Sequence, residues 1–125
     1  MKQLLIIGHG SRRASSNNEV REVANKVKNS VKIPVDDVAV AFLEFESPSI
    51  HEALNEGFSQ GVEDVLVLPY FLAGGNHVVR DIPEEINKLL SQWPDKTITI
   101  LPHIGASAGM AELISRACEP LHVNQ

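Results

Sequence analysis

The sequence has very little cysteine, since Cys118 is the only one among its 125 residues. One thiol can form neither an intrachain disulfide nor a thiolate metal cage, which excludes a disulfide-stapled domain. Cys118 lies in an apolar helical pattern, so we expect a small buried side chain instead of a reactive thiol. Long hydrophobic runs are absent as well: the first one, residues 4–7, is too short for a signal-peptide core, and none could cross a membrane. These absences predict a reduced, cytoplasmic protein with no membrane partner.

Basic side chains are in the minority, with 11 Lys and Arg against 16 Asp and Glu and a net charge of −5. Non-specific binding to nucleic acid depends on neutralising phosphates, so nucleic acid is not an expected partner. The sequence contains no phosphate-binding P-loop and no His-x-x-x-His or Cys-x-x-Cys spacing. We therefore expect no ATP site and no closed structural metal site; a metal, if bound, would be bound openly and transiently.

Four short apolar runs recur along the chain, at residues 4–7, 38–43, 65–68 and 98–101. The first three are nearly continuous instead of alternating, which is typical of strands buried on both faces of a parallel sheet. The length suits one domain, residues 1–125. Helices between the strands would give a single doubly wound α/β domain with a four-stranded parallel sheet. A flavodoxin-like start predicts the strand order 2-1-3-4.

Four amphipathic patterns separate and follow these runs, with apolar residues at helical spacing. Their apolar positions are Val20, Val23, Ala24, Val27 and Val31; Ile50, Ala53, Leu54 and Phe58; Ile82, Ile86, Leu89 and Leu90; and Met110, Leu113, Ile114 and Ala117. Polar residues before them predict the helix starts. The first helix is expected to start with a capping box of Ser16 and Glu19. The second is expected to have its N-cap at Ser47 and Pro48 at its first helical position, and to end at Gly61. Pro83 is expected in the first turn of the third helix, and Ser107 as the cap of the fourth.

Polar residues cluster after the carboxyl ends of the first three strands, where open α/β sheets bind ligands. His9 follows the first strand, Glu44 the second and His77 the third, and the two histidines flank the expected switch point between strands 1 and 3. Neutral imidazoles are common ligands of divalent metals, so the pair predicts an open metal site. The alternatives are a hydrogen-bonding loop residue for His9 and a helix cap for His77. Glu44 is either a proton acceptor or a solvated strand end.

Three segments resemble one known family. They are LIIGHGSR at residues 5–12, FLE at 42–44 with SPSI at 47–50, and LPYFLAGGNHVVRDIP at 68–83. They are similar to the small, single-domain sirohydrochlorin chelatases of the CbiX type, within the class II tetrapyrrole chelatases. The third segment is the most specific, because its arrangement of Phe-Leu, Gly, His and Asp-Ile-Pro is rare by chance.

The resemblance implies a lyase that inserts a divalent metal into a metal-free tetrapyrrole, sirohydrochlorin or a derivative, with release of two protons. Cobalt is the favoured metal and nickel or iron the alternatives, in cobalamin, F430 or siroheme biosynthesis. The metal is a substrate, and no organic cofactor is implied. The family's metal-binding histidines fall on His9 and His77 and its acid on Glu44, and these three are the implied catalytic residues.

The resemblance also implies a homodimer, because larger relatives hold two such domains around the substrate. The residues beside the histidines are candidates to bind the substrate, and the arginines among them could attract its carboxylates. These candidates are Ser11, Arg12, Arg13, Gly74, Gly75, Asn76 and Arg80. Two other functions stay open. One is a non-catalytic carrier of metal or tetrapyrrole. The other is a histidine-type phosphohydrolase. Such enzymes resemble one another in an Arg-His-Gly motif near the start, and here Gly8 stands before His9 in place of the arginine, which counts against this function.

Overall fold

The computed structural model describes residues 1–30 and 32–120, and within them the chain alternates strands and helices. The strands are β1 (Lys2–Gly8), β2 (Asp37–Phe42), β3 (Asp64–Pro69) and β4 (Thr97–Ile100). The helices are α1 (Ala14–Lys28), α2 (Ile50–Ser59), α3 (Ile82–Leu90) and α4 (Met110–Ala117). A π-helical turn, His77–Asp81, precedes α3, and a 3₁₀ turn, Ile104–Ala106, precedes α4. One predicted feature, Val31 at the end of the first helical pattern, lies outside the described residues.

All strands of the sheet pair in parallel, in the order β2-β1-β3-β4. This confirms the predicted fold class and strand order. In the register, Gly8 of β1 pairs with Phe42 of β2, and Ile7 pairs with Pro69 of β3. The carboxyl ends of the three strands therefore lie level, and the loops that follow them leave the sheet side by side.

The larger core lies on one face of the sheet, under α2 and α3. It includes Leu5, Ile7, Val65 and Val67 from the strands, and its helical side chains are Ile50, Leu54, Phe58, Ile82, Ile86 and Leu89. Full burial of one such side chain contributes about 1.5–3 kcal/mol, so this face contributes more hydrophobic stabilisation than the smaller cluster on the other face. The helical patterns predicted for α2 and α3 are confirmed by this burial.

The opposite face is only partly covered. Leu4, Ile6 and Ala24 form a smaller buried cluster beneath α1. β3 alternates between buried and half-buried positions, and β2 buries only its last two residues, so the prediction of two-sided burial holds for β1 alone. β2 is an edge strand of the sheet. Beside β3, α4 stands away from the sheet and buries none of its residues, which leaves an apolar groove of about 500 Å³ between α1 and α4. Cys118 ends α4 and is exposed, so its predicted burial is wrong.

Three predicted helix starts are wrong by two or three residues. α1 begins after Arg13, which leaves Ser16 inside the helix, and α4 begins after Gly109, whose N–H donates to Ser107 Oγ at 3.2 Å. The N-cap of α2 is Ser49, not Ser47, and it forms a capping box with Glu52. For α2 the sequence offers both Ser47 and Ser49, and the pattern alone does not distinguish between them. The N-cap residues of α1 and α4, Arg13 and Gly109, make no side-chain cap hydrogen bond, so no capping signal in the sequence marks them. Pro83 in the first turn of α3 and Gly61 after the end of α2, at φ +101°, agree with the predictions.

Within residues 1–30 and 32–120, no helix combines the length and the apolar character that crossing a bilayer requires.

Candidate functional site

The loops after β1 and β2 are joined along their backbones. The N–H of Leu43 donates to Gly8 O at 3.1 Å, and the N–H of Glu44 donates to His9 O at 3.1 Å. Gly10 has φ +93°, and a Cβ there would lie 1.8 Å from the carbonyl oxygen of Glu44. Only glycine allows this approach, because any side chain would collide with the backbone. The close contact fixes His9 beside Glu44.

The structure brings His9 and His77 together at the carboxyl ends of β1 and β3. Their ring centroids are 5.0 Å apart with the planes inclined by 69°, and the ring of Phe71 meets His9 edge-on at 6.5 Å. His9 Nδ1 lies 3.1 Å from Gly10 O, and His77 Nδ1 lies 2.7 Å from Asp81 Oδ2. A carbonyl and a carboxylate only accept hydrogen bonds, so Nδ1 carries the hydrogen in both rings. The Nε2 atom of each histidine is therefore the one available to bind a metal.

Glu44 is the third group at this position. Its Oε1 lies 3.6 Å from His9 Nε2, and both side chains are about half exposed. With the hydrogen of the neutral His9 ring on Nδ1, this approach is neither a hydrogen bond nor an ion pair, so the carboxylate can exchange partners. A cavity of about 220 Å³ opens beside it and is lined by His77, Asp81 and Glu85 among others. Solvent and small ligands can reach the His77 imidazole and the Glu44 carboxylate from this side.

Asp81 is a site residue that the sequence reasoning passed over. It lies four positions after His77, across a π-helical turn that is closed by the N–H of Ile82 on His77 O. A carboxylate on Nδ1 of a metal-binding histidine orients the ring and raises the basicity of the other nitrogen. The signal was the i, i+4 spacing at the start of a predicted helix, because residues at that spacing share one helix face.

Asn17 holds the loop after β1 in place. Asn17, only 4% exposed, accepts from the N–H of Ser11 at 2.9 Å and donates to Ser11 O at 2.8 Å. The same amide lies 3.4 Å from Glu46 Oε2. Hydrogen bonding from the Ser47 N–H, together with Arg21 at 3.1 Å, lowers the pKa of Glu46 and keeps it ionised. The buried asparagine thus connects the loop that carries His9 to the loop that carries Glu44.

The predicted substrate-binding residues lie around this centre. Arg12 stacks over the ring of Phe45, with Cζ 4.8 Å from the ring centroid, and Arg13 caps α1 with its side chain exposed. Ser11 is engaged through its backbone by Asn17, and its hydroxyl accepts from the N–H of Arg13 at 3.0 Å.

The other predicted residues follow β3. Gly74, Gly75, Asn76 and Arg80 are all exposed. Gly74 lies close to His103, since a Cβ there would be 3.1 Å from Cε1 of that ring. Gly75 accepts from the N–H groups of Val78 and Val79 as the π-helical turn begins. These residues, which we call the rim residues, lie on the loop and the π-helical turn that carry His77.

The described part of the chain holds no group of three or more His, Cys, Asp and Glu side chains arranged to enclose a metal ion. The arrangement offers two imidazole nitrogens and a nearby carboxylate. Neutral imidazoles suit borderline divalent ions such as cobalt, nickel and iron, and the remaining coordination positions stay open to water or another ligand.

The profile of the CbiX family matches residues 3–120. A sirohydrochlorin cobaltochelatase of Methanococcus maripaludis is 43% identical over 84 residues, covering 67% of this chain and 57% of the relative. One of Sulfurisphaera tokodaii is 32% identical over 119 residues, covering 95% of this chain and 92% of the relative. The crystal structure of the sirohydrochlorin chelatase SirB from Bacillus subtilis subspecies spizizenii in complex with cobalt superimposes with a TM-score of 0.79 at 29% identity. That match covers 92% of this chain and 48% of SirB, so the chain spans only about half of several proteins that it resembles.

Proposed function

This chain belongs to the CbiX family, and we propose that it is a sirohydrochlorin chelatase, which inserts a divalent metal ion into the metal-free macrocycle. Cobalt is the favoured metal, because the two relatives described above are named cobaltochelatases and the similar SirB structure contains cobalt. Nickel and iron are the alternatives, because imidazole ligands accept all three ions.

The observation that carries the proposal is the pair of imidazoles whose Nε2 atoms remain free while each Nδ1 is hydrogen-bonded. Two neutral nitrogen ligands bind a divalent ion without enclosing it, so water molecules can complete the coordination shell. A chelatase has to release its metal to the four nitrogens of the macrocycle, and a complete protein cage would retain it. A site with two ligands on rigid loops fits that requirement.

Insertion releases two protons from the pyrrole nitrogens, and Glu44 is the proposed acceptor. Its Oε1 lies 3.6 Å from His9 Nε2, so the carboxylate stands next to the metal that His9 would bind. Its half-exposed position lets it pass the proton on to solvent. A correctly placed general base accelerates a reaction by about 100- to 10,000-fold, which is enough to matter for metal insertion.

The rim residues would recognise the periphery of the macrocycle. The substrate is a polycarboxylate, whereas the chain carries a net charge of −5. Arg12, Arg13 and Arg80 are exposed at the edge of the site, and we assign them the substrate carboxylates. Local positive charge near a binding site attracts an anion even when the whole protein is negative.

We further propose that the active form is a homodimer in which two copies form the two walls of one cleft. Support comes from the half-exposed histidines, since a flat macrocycle needs a second surface to exclude water. A twofold dimer is the commonest closed assembly. Light scattering at the assay concentration measures the mass, and a fully active monomer would contradict this part of the proposal.

The single domain over residues 1–125 and the cytoplasmic location stay predictions.

The test is anaerobic incubation with sirohydrochlorin and Co²⁺, followed by the absorbance change on metal insertion. His9→Ala and His77→Ala should each reduce the insertion rate at least 100-fold, a loss expected when a residue is required in the reaction. His51→Ala is the matched control, because His51 lies on the exposed surface of α2 and contacts Asn55. Circular dichroism checks that all three variants fold.

Three outcomes distinguish the candidate functions. Insertion that depends on both histidines supports the chelatase. Tight binding of metal and tetrapyrrole with no insertion would instead indicate a carrier. Hydrolysis of generic phosphate esters without insertion would indicate the phosphohydrolase, which family membership argues against.

A further inference from the structure

Phe45 has a backbone conformation that phenylalanine rarely adopts. Its φ is +66°, and in the part of the chain that the structure describes it is the one non-glycine residue in this left-handed region. A bulky side chain here is an outlier, and such residues persist only where the surroundings hold them. Strained residues of this kind concentrate at functional sites.

Burial of the Phe45 ring stabilises the fold too little to offset the strain of this backbone conformation. Its exposed fraction is 54%, although phenylalanine is among the residues most often found in protein cores. Neither backbone preference nor packing in the core therefore explains why a phenylalanine occupies this position. The combination of strain and exposure points to a contact with something outside the chain.

The neighbours of Phe45 keep the turn from relaxing. On one side, Glu44 is tied to the loop after β1 by its N–H bond to His9 O and by the close approach of its carbonyl to Gly10. On the other side, Glu46 is held by Arg21 at 3.1 Å and by the N–H of Ser47 at 3.0 Å. With both neighbours fixed, the ring of Phe45 projects from a rigid turn.

The position of the ring relates it to the metal-binding centre. The preceding residue, Glu44, reaches to 3.6 Å from His9 Nε2. The guanidinium of Arg12, from the neighbouring loop, lies 4.8 Å from the centroid of the Phe45 ring. A flat apolar ring and a cation are thus presented together at the same edge of the sheet as the two histidines.

From this arrangement we propose that Phe45 is a substrate-binding residue, whose ring packs against the flat face of the tetrapyrrole while Arg12 pairs with a peripheral carboxylate. The inference rests on the proposed function, because it takes the tetrapyrrole as the ligand. The chemistry is complementary on both counts. A conjugated macrocycle offers a wide apolar face to an aromatic ring, and its carboxylates match a guanidinium that is already positioned by stacking.

The experiment compares the binding of metal-free sirohydrochlorin to the wild type and to variants of Phe45, measured by absorbance titration without metal. Phe45→Gly removes the ring and suits the positive φ, and Phe45→Asn serves as a second variant that tolerates the same backbone. Phe45→Tyr keeps an aromatic ring. Ile114→Asn is the control, since Ile114 is 58% exposed on α4 and distant in sequence from the site.

We expect the dissociation constant for the tetrapyrrole to rise about 5- to 100-fold in Phe45→Gly and Phe45→Asn, as when a stacking partner is removed from a flat ligand. Phe45→Tyr and the control should bind within about twofold of the wild type. Affinity for Co²⁺ alone should not change, because both imidazoles are untouched. The thermal midpoint of Phe45→Gly should be equal to or above that of the wild type, since the strain is removed.

An unchanged dissociation constant in both ring-deleting variants would overturn the inference and leave the chelatase function standing. An equal loss of Co²⁺ affinity would also overturn it, because the turn would then serve the metal site and not the macrocycle. If the wild type bound no tetrapyrrole, the inference and the proposed function would fall together.

Discussion

Replacing Asp81 by asparagine tests whether its carboxylate tunes His77 for metal binding. Asp81→Asn keeps the size of the side chain and removes the charge that lies 2.7 Å from His77 Nδ1. The amide can also rotate and donate to Nδ1, which would move the ring hydrogen to Nε2, the atom that we propose binds the metal. Both effects weaken the metal site without altering the ligands themselves.

The expected loss of metal affinity follows from the distance between the metal and the Asp81 carboxylate and from the exposure of the two side chains. A metal on Nε2 would lie roughly 7 Å from the carboxylate, the sum of the hydrogen bond, the width of the ring and a bond of about 2 Å. At that distance a divalent ion and a carboxylate attract each other by about 1.2 kcal/mol in bulk water. Both side chains are 45% exposed, so the value in water is the appropriate one. This corresponds to about an eightfold loss of affinity, near the lower end of the 10- to 100-fold effects typical of such partners.

The assay is calorimetric titration with Co²⁺ at two ionic strengths. Because charges 7 Å apart are screened as the Debye length shrinks, the difference between wild type and Asp81→Asn should narrow in about 1 M salt. Asp95→Asn is the matched control, since it removes an equal charge from the exposed turn before β4, at the opposite edge of the sheet. A loss in Asp81→Asn no larger than in the control would refute the assignment of Asp81 as a positioning residue.

Three further predictions concern the charges and the loop contacts. Glu44→Gln should lower the insertion rate more than tenfold while Co²⁺ affinity falls only modestly, whereas a merely solvated side chain would change stability by less than about 0.5 kcal/mol and leave the rate unaltered. Asn17→Ala should lower the free energy of unfolding in urea by about 1–3 kcal/mol, because it leaves backbone groups of the β1–α1 loop unpaired; an unchanged value would mean that water replaces the amide. Burial tends to raise the pKa of Asp37, but hydrogen bonds from Gln3 and Lys28 outweigh it and hold the pKa below its ordinary value. A depressed pKa in the folded state means that Asp37 contributes stability at neutral pH that is lost as the pH falls below about 4, so Asp37→Asn should flatten the dependence of unfolding free energy on pH between about 2 and 5.

Local patterns in the sequence were enough to predict the parallel sheet and the order of its strands. The apolar runs are separated by helical patterns with their own apolar faces, and few topologies accommodate four such repeats. The order also places His9 and His77 at one edge, since both follow central, neighbouring strands. The packing of α4 could not be predicted this way, because its apolar spacing indicates a buried face whether or not the sheet covers it.

The parts of the site that could not be predicted from the sequence depend on contacts between loops. Nothing in the local pattern around Asn17 indicates that its amide engages the backbone of Ser11, six residues earlier, and approaches Glu46 of another loop. The left-handed conformation of Phe45 is equally invisible, because it is imposed by fixed neighbours and not by the preference of phenylalanine itself. Asp81 differs, since its spacing from His77 was readable in advance.

The two histidines reach the same point by different structural means, and this suits the proposed transfer of a metal to the macrocycle. His9 stands on a loop held by a glycine contact and by backbone bonds to the next loop, whereas His77 stands on a helical turn and is oriented by Asp81. Both rings are thereby ordered before a metal arrives, so binding need not order them. In the proposed reaction, two nitrogen ligands would hold the ion with limited affinity and leave open positions through which the macrocycle could take it. A third protein ligand would strengthen binding and at the same time obstruct transfer, so a site with two imidazole ligands is the arrangement that the proposed function requires.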